Sequence, residues 1–258
     1  LARDCGVMQK VALWMMIGLT VLLTACQPKD APRPSDPKPE AAKVVLLTSQ
    51  SIQMNLPRAE VCELQGCERY SLHTVQTNLP WIDTYFVKRL TELAPKAFDV
   101  ARQRIVPDVN EQASLAHHHH FVSYVAQRNQ LALFSIQSDS SGTHLPHSLF
   151  HQEYVNLDLN LQQRLALTDV LQKSQQSALL SLLYRYNEAW LKARHIEAEQ
   201  LKLSDNFYFA AQGFTLVYPV FELGSYSDGM TELRIPYSAL SDIIKPEYLP
   251  SLPSDAKP

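Results

Sequence analysis

Glycine is scarce in this chain, seven in 258 residues, and none of the seven builds a phosphate-cradling loop. No G-x-S-x-G elbow, P-loop or dinucleotide fingerprint is present. An excess of charge of one sign is also missing. Lys and Arg number 23, Asp and Glu 26, for a net charge of −3. No basic face stands out, which excludes nucleic-acid binding driven by charge. Cysteines number four. Long apolar runs are absent except near the start, where Val11–Leu23 follows Lys10. That run is shorter than the roughly 20 apolar residues a membrane-spanning helix needs.

A charged start, a short apolar middle and small residues before a cut site make a secretory signal. Here Leu23-Thr24-Ala25 lead into Cys26, the pattern of a bacterial lipobox. Cleavage before Cys26 would leave its thiol to carry a diacylglyceryl group and its amine free for a third chain. Each buried CH₂ adds about 0.8 kcal/mol, so two or three chains anchor a protein stably. Residues 1–25 are the expected signal peptide, with Met8 the expected start and Leu1–Val7 upstream read-through. Gln27 follows Cys26, where Asp is the usual inner-membrane retention residue. The expected location is therefore the outer membrane of a bacterial envelope, facing the periplasm or the outside.

Removing Arg3, Lys10 and Asp4 leaves 21 basic and 25 acidic residues, a net charge of −4. Residues 26–42 read as a tether: Pro28, Pro32, Pro34, Pro37 and Pro39 alternate with charges, and such a segment cannot bury a core. A proline-rich ligand for a partner is the sharper reading of the same residues. Cys62 and Cys67 stand at C-x4-C spacing. Outside the inner membrane thiols are oxidised, so a disulfide is expected, with Gly66 easing closure of the loop. Zinc is the competing reading, and two further ligands at matching spacing are missing.

The body is expected over 43–248, with 43–115 as its N-terminal part. Strands are expected at Val44–Met54 and Glu68–Thr77. Asn78 is the expected cap of a helix with Pro80 in its first turn. Trp81, Tyr85, Phe86, Leu90 and Leu93 recur at helical spacing as its core face. Pro95 breaks or restarts the helix, and a second short one is expected over Phe98–Val106. His120–Val125 and Leu131–Ile136 alternate around Arg128-Asn129-Gln130, a β-hairpin pattern. Tyr154–Leu159 reads as a strand and Leu165–Leu171 as a short helical start. Ser177–Leu201 reads as the longest helix, with Leu179, Leu180, Leu183, Tyr186, Trp190 and Leu191 inward. Closing strands are expected at Asn206–Tyr208, Gly213–Phe221 and Thr231–Ile235. The segment from Pro246 reads as frayed, with 249–258 a flexible tail.

Two groups of motifs occur in a recognisable order. The first is Ser141-Gly142-Thr143-His144, then Val155-Asn156-Leu157-Asp158-Leu159 and Leu165-Ala166-Leu167-Thr168-Asp169. The second is Gln212-Gly213-Phe214, then Phe221-Glu222-Leu223-Gly224-Ser225-Tyr226-Ser227-Asp228-Gly229, then Ile235-Pro236-Tyr237-Ser238-Ala239-Leu240. This order resembles the extracytoplasmic domain shared by the anti-sigma factor RsiV and the peptidoglycan deacetylase PdaC. Phe221 and Leu223 stand where that family commonly shows Tyr and Ile. The resemblance covers about Phe121–Tyr248 and implies an α+β fold, helices packed on an antiparallel β-sheet. It implies no catalysis, because in the deacetylase the chemistry belongs to a separate domain. It implies binding or sensing in the envelope, because the anti-sigma domain recognises lysozyme. Four of the five glycines after Cys26 fall at the family turns. The expected binding residues are Glu222, Tyr226, Asp228 and Gly229. Their bland reading is turn chemistry, since Asp-Gly is a favoured turn pair.

Histidine offers the rival chemistry. His117–His120 run consecutively, and His144, His147 and His151 lie close in sequence. The second group could gather imidazoles for a metal. The first precedes a strand, whose alternation lets only two of its four members share a face. No H-E-x-x-H is present. The expected function is a non-enzymatic, lipid-anchored binding module for a lysozyme-like protein or peptidoglycan, with no cofactor. The rivals are a metal-assisted hydrolase built on the histidines and a structural envelope lipoprotein.

Overall fold

A computed structural model describes residues 45–63, 66–101, 114–142 and 148–251. The signal run, Cys26, the tether, His144 and His147 lie outside the described residues. Strands β1 (Ser49–Gln53), β2 (Glu60–Glu63) and β3 (Gly66–Thr77) come first, followed by helices α1 (Pro80–Leu93) and α2 (Pro95–Phe98). Then come the long strands β4 (Ser114–Arg128), β5 (Leu131–Gly142) and β6 (Leu149–Asp158), and the short β7 (Gln163–Arg164). Helices α3 (Leu167–Val170) and α4 (Gln176–Lys192) lead to β8 (Phe207–Ala210), β9 (Gly213–Tyr218) and β10 (Thr231–Ile235).

The main sheet runs β1-β3-β4-β5-β6-β7, with β2 also paired to β3; β10-β9-β8 form a second, smaller sheet. The expected all-antiparallel sheet is corrected at one pair. β3 and β4 run parallel, Gly66 opposite Ser114 through His73 opposite Phe121. A parallel neighbour needs a crossover, and α1 and α2 lie between the two strands in sequence. The fold is thus mixed and dominated by strands, with few helices.

β5 lies between two apolar layers. All of Leu131–Ile136 is buried, although the sequence reads as a half-buried alternating strand. Ala132, Phe134 and Ile136 join Val155, Leu157 and the buried α1 residues Ile82, Phe86 and Leu90 in one core. Leu131 belongs to the other core, with Leu179, Leu183 and Leu191 of α4 and Phe207, Phe214, Leu216 and Leu233 of the small sheet. A strand covered on both faces loses its polar alternation. Residues Lys43–Pro258 form one compact unit containing these two cores and a third, smaller one of Val61, Tyr70, Leu72, Ala94 and Ala97.

Local chemistry corrects several expected boundaries. Asn78 does not cap α1: its Oδ1 accepts from the Thr48 amide and its Nδ2 donates to Leu46 O, tying β1 to the helix entry. Asp83 in the first turn accepts from the Thr77 amide and hydroxyl instead. The second helix spans Pro95–Phe98 and stops at Asp99, in extended backbone; residues 102–106 lie outside the described set. α4 ends at Lys192, nine residues before the expected Leu201. His195 adopts a left-handed φ of 57°, and the amides of His195 and Ile196 donate to Lys192 O and Leu191 O. This is a Schellman stop with histidine in the usual glycine position. Tyr186 is exposed rather than inward. The strand expected to reach Phe221 ends at Tyr218, before Pro219. The segment from Pro246 is docked, not frayed: Tyr248 is buried and its hydroxyl donates to Asp158 Oδ2 at 3.2 Å.

Candidate functional site

The segment between β9 and β10 carries the expected binding residues, and its conformation is set by one carboxylate. Asp228 Oδ2 accepts from the Ser225 amide at 2.8 Å and the Ser225 hydroxyl at 2.7 Å. Its Oδ1 accepts from Arg194 Nη2 at 2.7 Å. The Ser225 hydroxyl bond first, then Arg194 and the Ser225 amide, hold this carboxyl well down, at about 2. A carboxylate so fully engaged is poorly matched to proton transfer near neutrality. Its role here is to close a single 3₁₀ turn, Tyr226–Asp228, which ends at Gly229 with φ 67°. The expected turn role of Asp228-Gly229 thus has a specific geometry.

Arg194 also lies 3.8 Å over the ring of Trp190, one helical turn earlier. The guanidinium therefore links the last turn of α4 to the Asp228 loop, combining cation–π attraction with a charge-assisted hydrogen bond. Sequence reading placed Trp190 inward and did not single out Arg194. The i, i+4 spacing of an aromatic and an arginine was the sign that they stack.

Arg194, His195, Ile196, Phe221, Glu222 and Asp228 line a cleft of about 570 Å³ between this loop and the end of α4. Phe221 sits at φ 72° and is 64% exposed. A bulky aromatic in left-handed backbone, with its ring in solvent, is a backbone outlier of the kind found at binding surfaces. Tyr226 lies beside it, ring centroids 5.8 Å apart, and its hydroxyl donates to Ser148 O at 2.8 Å. Glu222 lines the same cleft. Phe221 was noted in the sequence only as a departure from the family pattern.

Among the described residues the histidines are dispersed. His118 and His120 share one face of β4, their Nδ1 atoms 2.9 Å and 2.8 Å from the hydroxyls of Ser140 and Ser138. His117 and His119 stack on the other face with centroids 6.3 Å apart. His151 is exposed on β6. Among the described residues the one ligand-type cluster is Glu60, Cys62 and Cys67. Its two sulfurs are joined in a disulfide that closes the β2–β3 hairpin, so they offer no thiolates to zinc.

Residues 160–238 match the family described as protein of unknown function, DUF3298. No curated protein matches the chain. Among solved structures, the chain is similar to a DUF3298 family protein from Pseudomonas aeruginosa PAO1, at 20% identity and a TM-score of 0.62, covering 81% of this chain and 99% of that one. It is also similar to a DUF3298 family member from Bacteroides fragilis, at 16% identity and a TM-score of 0.54, covering 77% and 94%. At these identities the likeness carries the fold. The matched segment contains α4, Arg194 and the whole loop from Pro219 to Gly229.

Proposed function

We propose that this chain is a lipid-anchored lipoprotein of the bacterial envelope, of the RsiV and PdaC domain type, that binds rather than catalyses. Its ligand is a lysozyme-like protein or peptidoglycan. The carrying observation is Phe221, held in left-handed backbone with its ring exposed beside Tyr226 at the cleft. Strain at an exposed aromatic is kept where the side chain is needed outside the fold, and exposed aromatics dominate binding hot spots. Arg194, Trp190 and Asp228 supply the rigid support that lowers the ordering cost of binding. Glu222 adds an acidic edge suited to a basic partner.

The test is binding of the chain from Gln27 onward to lysozyme and, separately, to purified peptidoglycan at physiological salt. Saturable binding to either, weakened about thirtyfold or more by Phe221→Ala, is the expected result, since hot-spot truncations cost about 2 kcal/mol or more. Binding to neither ligand overturns the reading.

A further inference from the structure

A second cavity, of about 360 Å³, opens at the β4–β5 turn, away from the residues of the Phe221 loop. A bulge creates it. Tyr124 is opposite Phe134, but Ala126 is opposite Leu133, so Val125 is an extra residue in β4. A bulge reverses which face later side chains take. Upstream, Val122 and Tyr124 pack toward α1. Downstream, Ala126 and Arg128 line the cavity with Leu133, Phe209, Ala210 and Tyr237. The walls are mostly apolar, and the volume lies in the range of small-molecule sites.

Three polar side chains break that apolar lining; Gln127 is already engaged by the Leu47 amide and the carbonyls of Val45 and Asn129, which leaves two. Asn156, 1% exposed, comes from β6 opposite Leu133. Its Nδ2 donates to Phe207 O at 2.7 Å. That carbonyl fixes the amide orientation, because the oxygen could not face it. Asn156 Oδ1 is then a buried acceptor with no hydrogen-bond partner among the described residues. Such an orphan is uncommon and calls for an occupant that donates to it. The second group is the Arg128 guanidinium, 5.3 Å over Phe209 and 5.9 Å over Tyr237. One of its nitrogens donates to Tyr248 O, and it makes no ion pair among the described residues. The remaining donors suit a carboxylate.

We propose that this cavity is a binding site for a small amphipathic ligand of the N-acyl amino acid class. Its apolar chain lies along Leu133 and Phe209, its N–H donates to Asn156 Oδ1, and its carboxylate meets Arg128. Tyr237 is a wall residue, its hydroxyl already donating to Ala210 O at 2.6 Å. Site and ligand class are independent of the Phe221 loop and of whatever binds there.

The probe is N-octanoylglycine, titrated calorimetrically into the compact unit Lys43–Pro258. Saturable one-to-one binding is expected. Octanoylglycinamide, which lacks the carboxylate, and the ester octanoyloxyacetate, which lacks the N–H, should each bind about tenfold more weakly or worse, a factor set by one lost hydrogen bond or charge contact. Ala126→Trp fills the cavity from an exposed position and should abolish binding while leaving the melting curve intact. Arg128→Gln should weaken the acid and leave the glycinamide unchanged. No saturable binding at millimolar probe, or binding indifferent to Ala126→Trp, overturns the site. Equal affinity for acid and ester overturns the donor to Asn156. Binding that emerges only in a chain ending at Ser251 shows the cavity to be filled by the chain's own last residues, which also overturns it.

Discussion

Phe221 is placed where a glycine would be more comfortable. Left-handed backbone costs an L-residue about 1–2 kcal/mol, and the exposed ring returns little of that through burial. Phe221→Gly relieves the strain but adds freedom to the unfolded chain. We expect it to raise stability by up to about 1 kcal/mol in denaturant melts while weakening partner binding about thirtyfold or more. A variant that binds as well as the parent would remove Phe221 from the binding surface. Asp228 behaves in the opposite way: its Oδ2 contacts are local, both to Ser225 three positions earlier, and its carboxylate was legible as a turn residue from Asp228-Gly229 alone. The pairing of Arg194 with Asp228 was not legible, because the two lie 34 positions apart and no local pattern announces it.

At the scale of elements, β4 shows how far sequence reading reaches. Alternation places two of its four consecutive histidines on each face, and the structure has His118 and His120 on one side and His117 and His119 on the other. The bulge at Val125 has no local sequence sign, and without it Arg128 would point to the wrong core. Continuous burial of β5 was hidden for the same reason, since Ser135 and Ala132 look like exposed positions until a second layer covers them. α1 was clear from its periodicity, whereas the stop of α4 was missed because His195 does the work expected of glycine.

His120 gives this strand a pH dependence. Burial first, then the charges of His118 and His119, push its imidazole down to about 4. In the unfolded chain the group takes a proton near 6.5. Between those values the unfolded chain binds the proton and the folded one does not, so stability falls as pH drops from about 6.5 to about 4. Above that window His120 is neutral in both states and contributes no slope. His120→Gln, which keeps a side-chain partner for Ser138, should flatten the loss of melting temperature across this interval. An unchanged slope would assign it to other groups.

At the scale of the molecule, α1 covers one face of the main sheet, while α4 packs on the small sheet, whose core Leu131 of β5 joins. Fold class was partly readable from the sequence: α+β was expected, and the mixed pairing was not, because a parallel neighbour is decided by the crossover rather than by either strand. The proposed anchor is a whole-molecule property as well. If lipid at Cys26 is the anchor, Cys26→Ser should move the protein from the membrane to the soluble fraction of envelope extracts. Retention of the variant in the membrane would point to an attachment other than lipid at Cys26.

The parallel pairing of β3 with β4 also has a consequence in time. β4 and β5 can zip together from their two-residue turn as soon as both exist. β3 must wait for a partner that follows it only after the whole segment from Asn78 to the start of β4, and closing so long an excursion is entropically slow. Assembly should therefore start at the β4–β5–β6 meander, with the cystine hairpin joining late. Until it does, one edge of β4 is an open template for another copy. Under the proposed envelope function the chain would fold after export, and that interval is when a chaperone or a neighbouring molecule has the most to gain by contact.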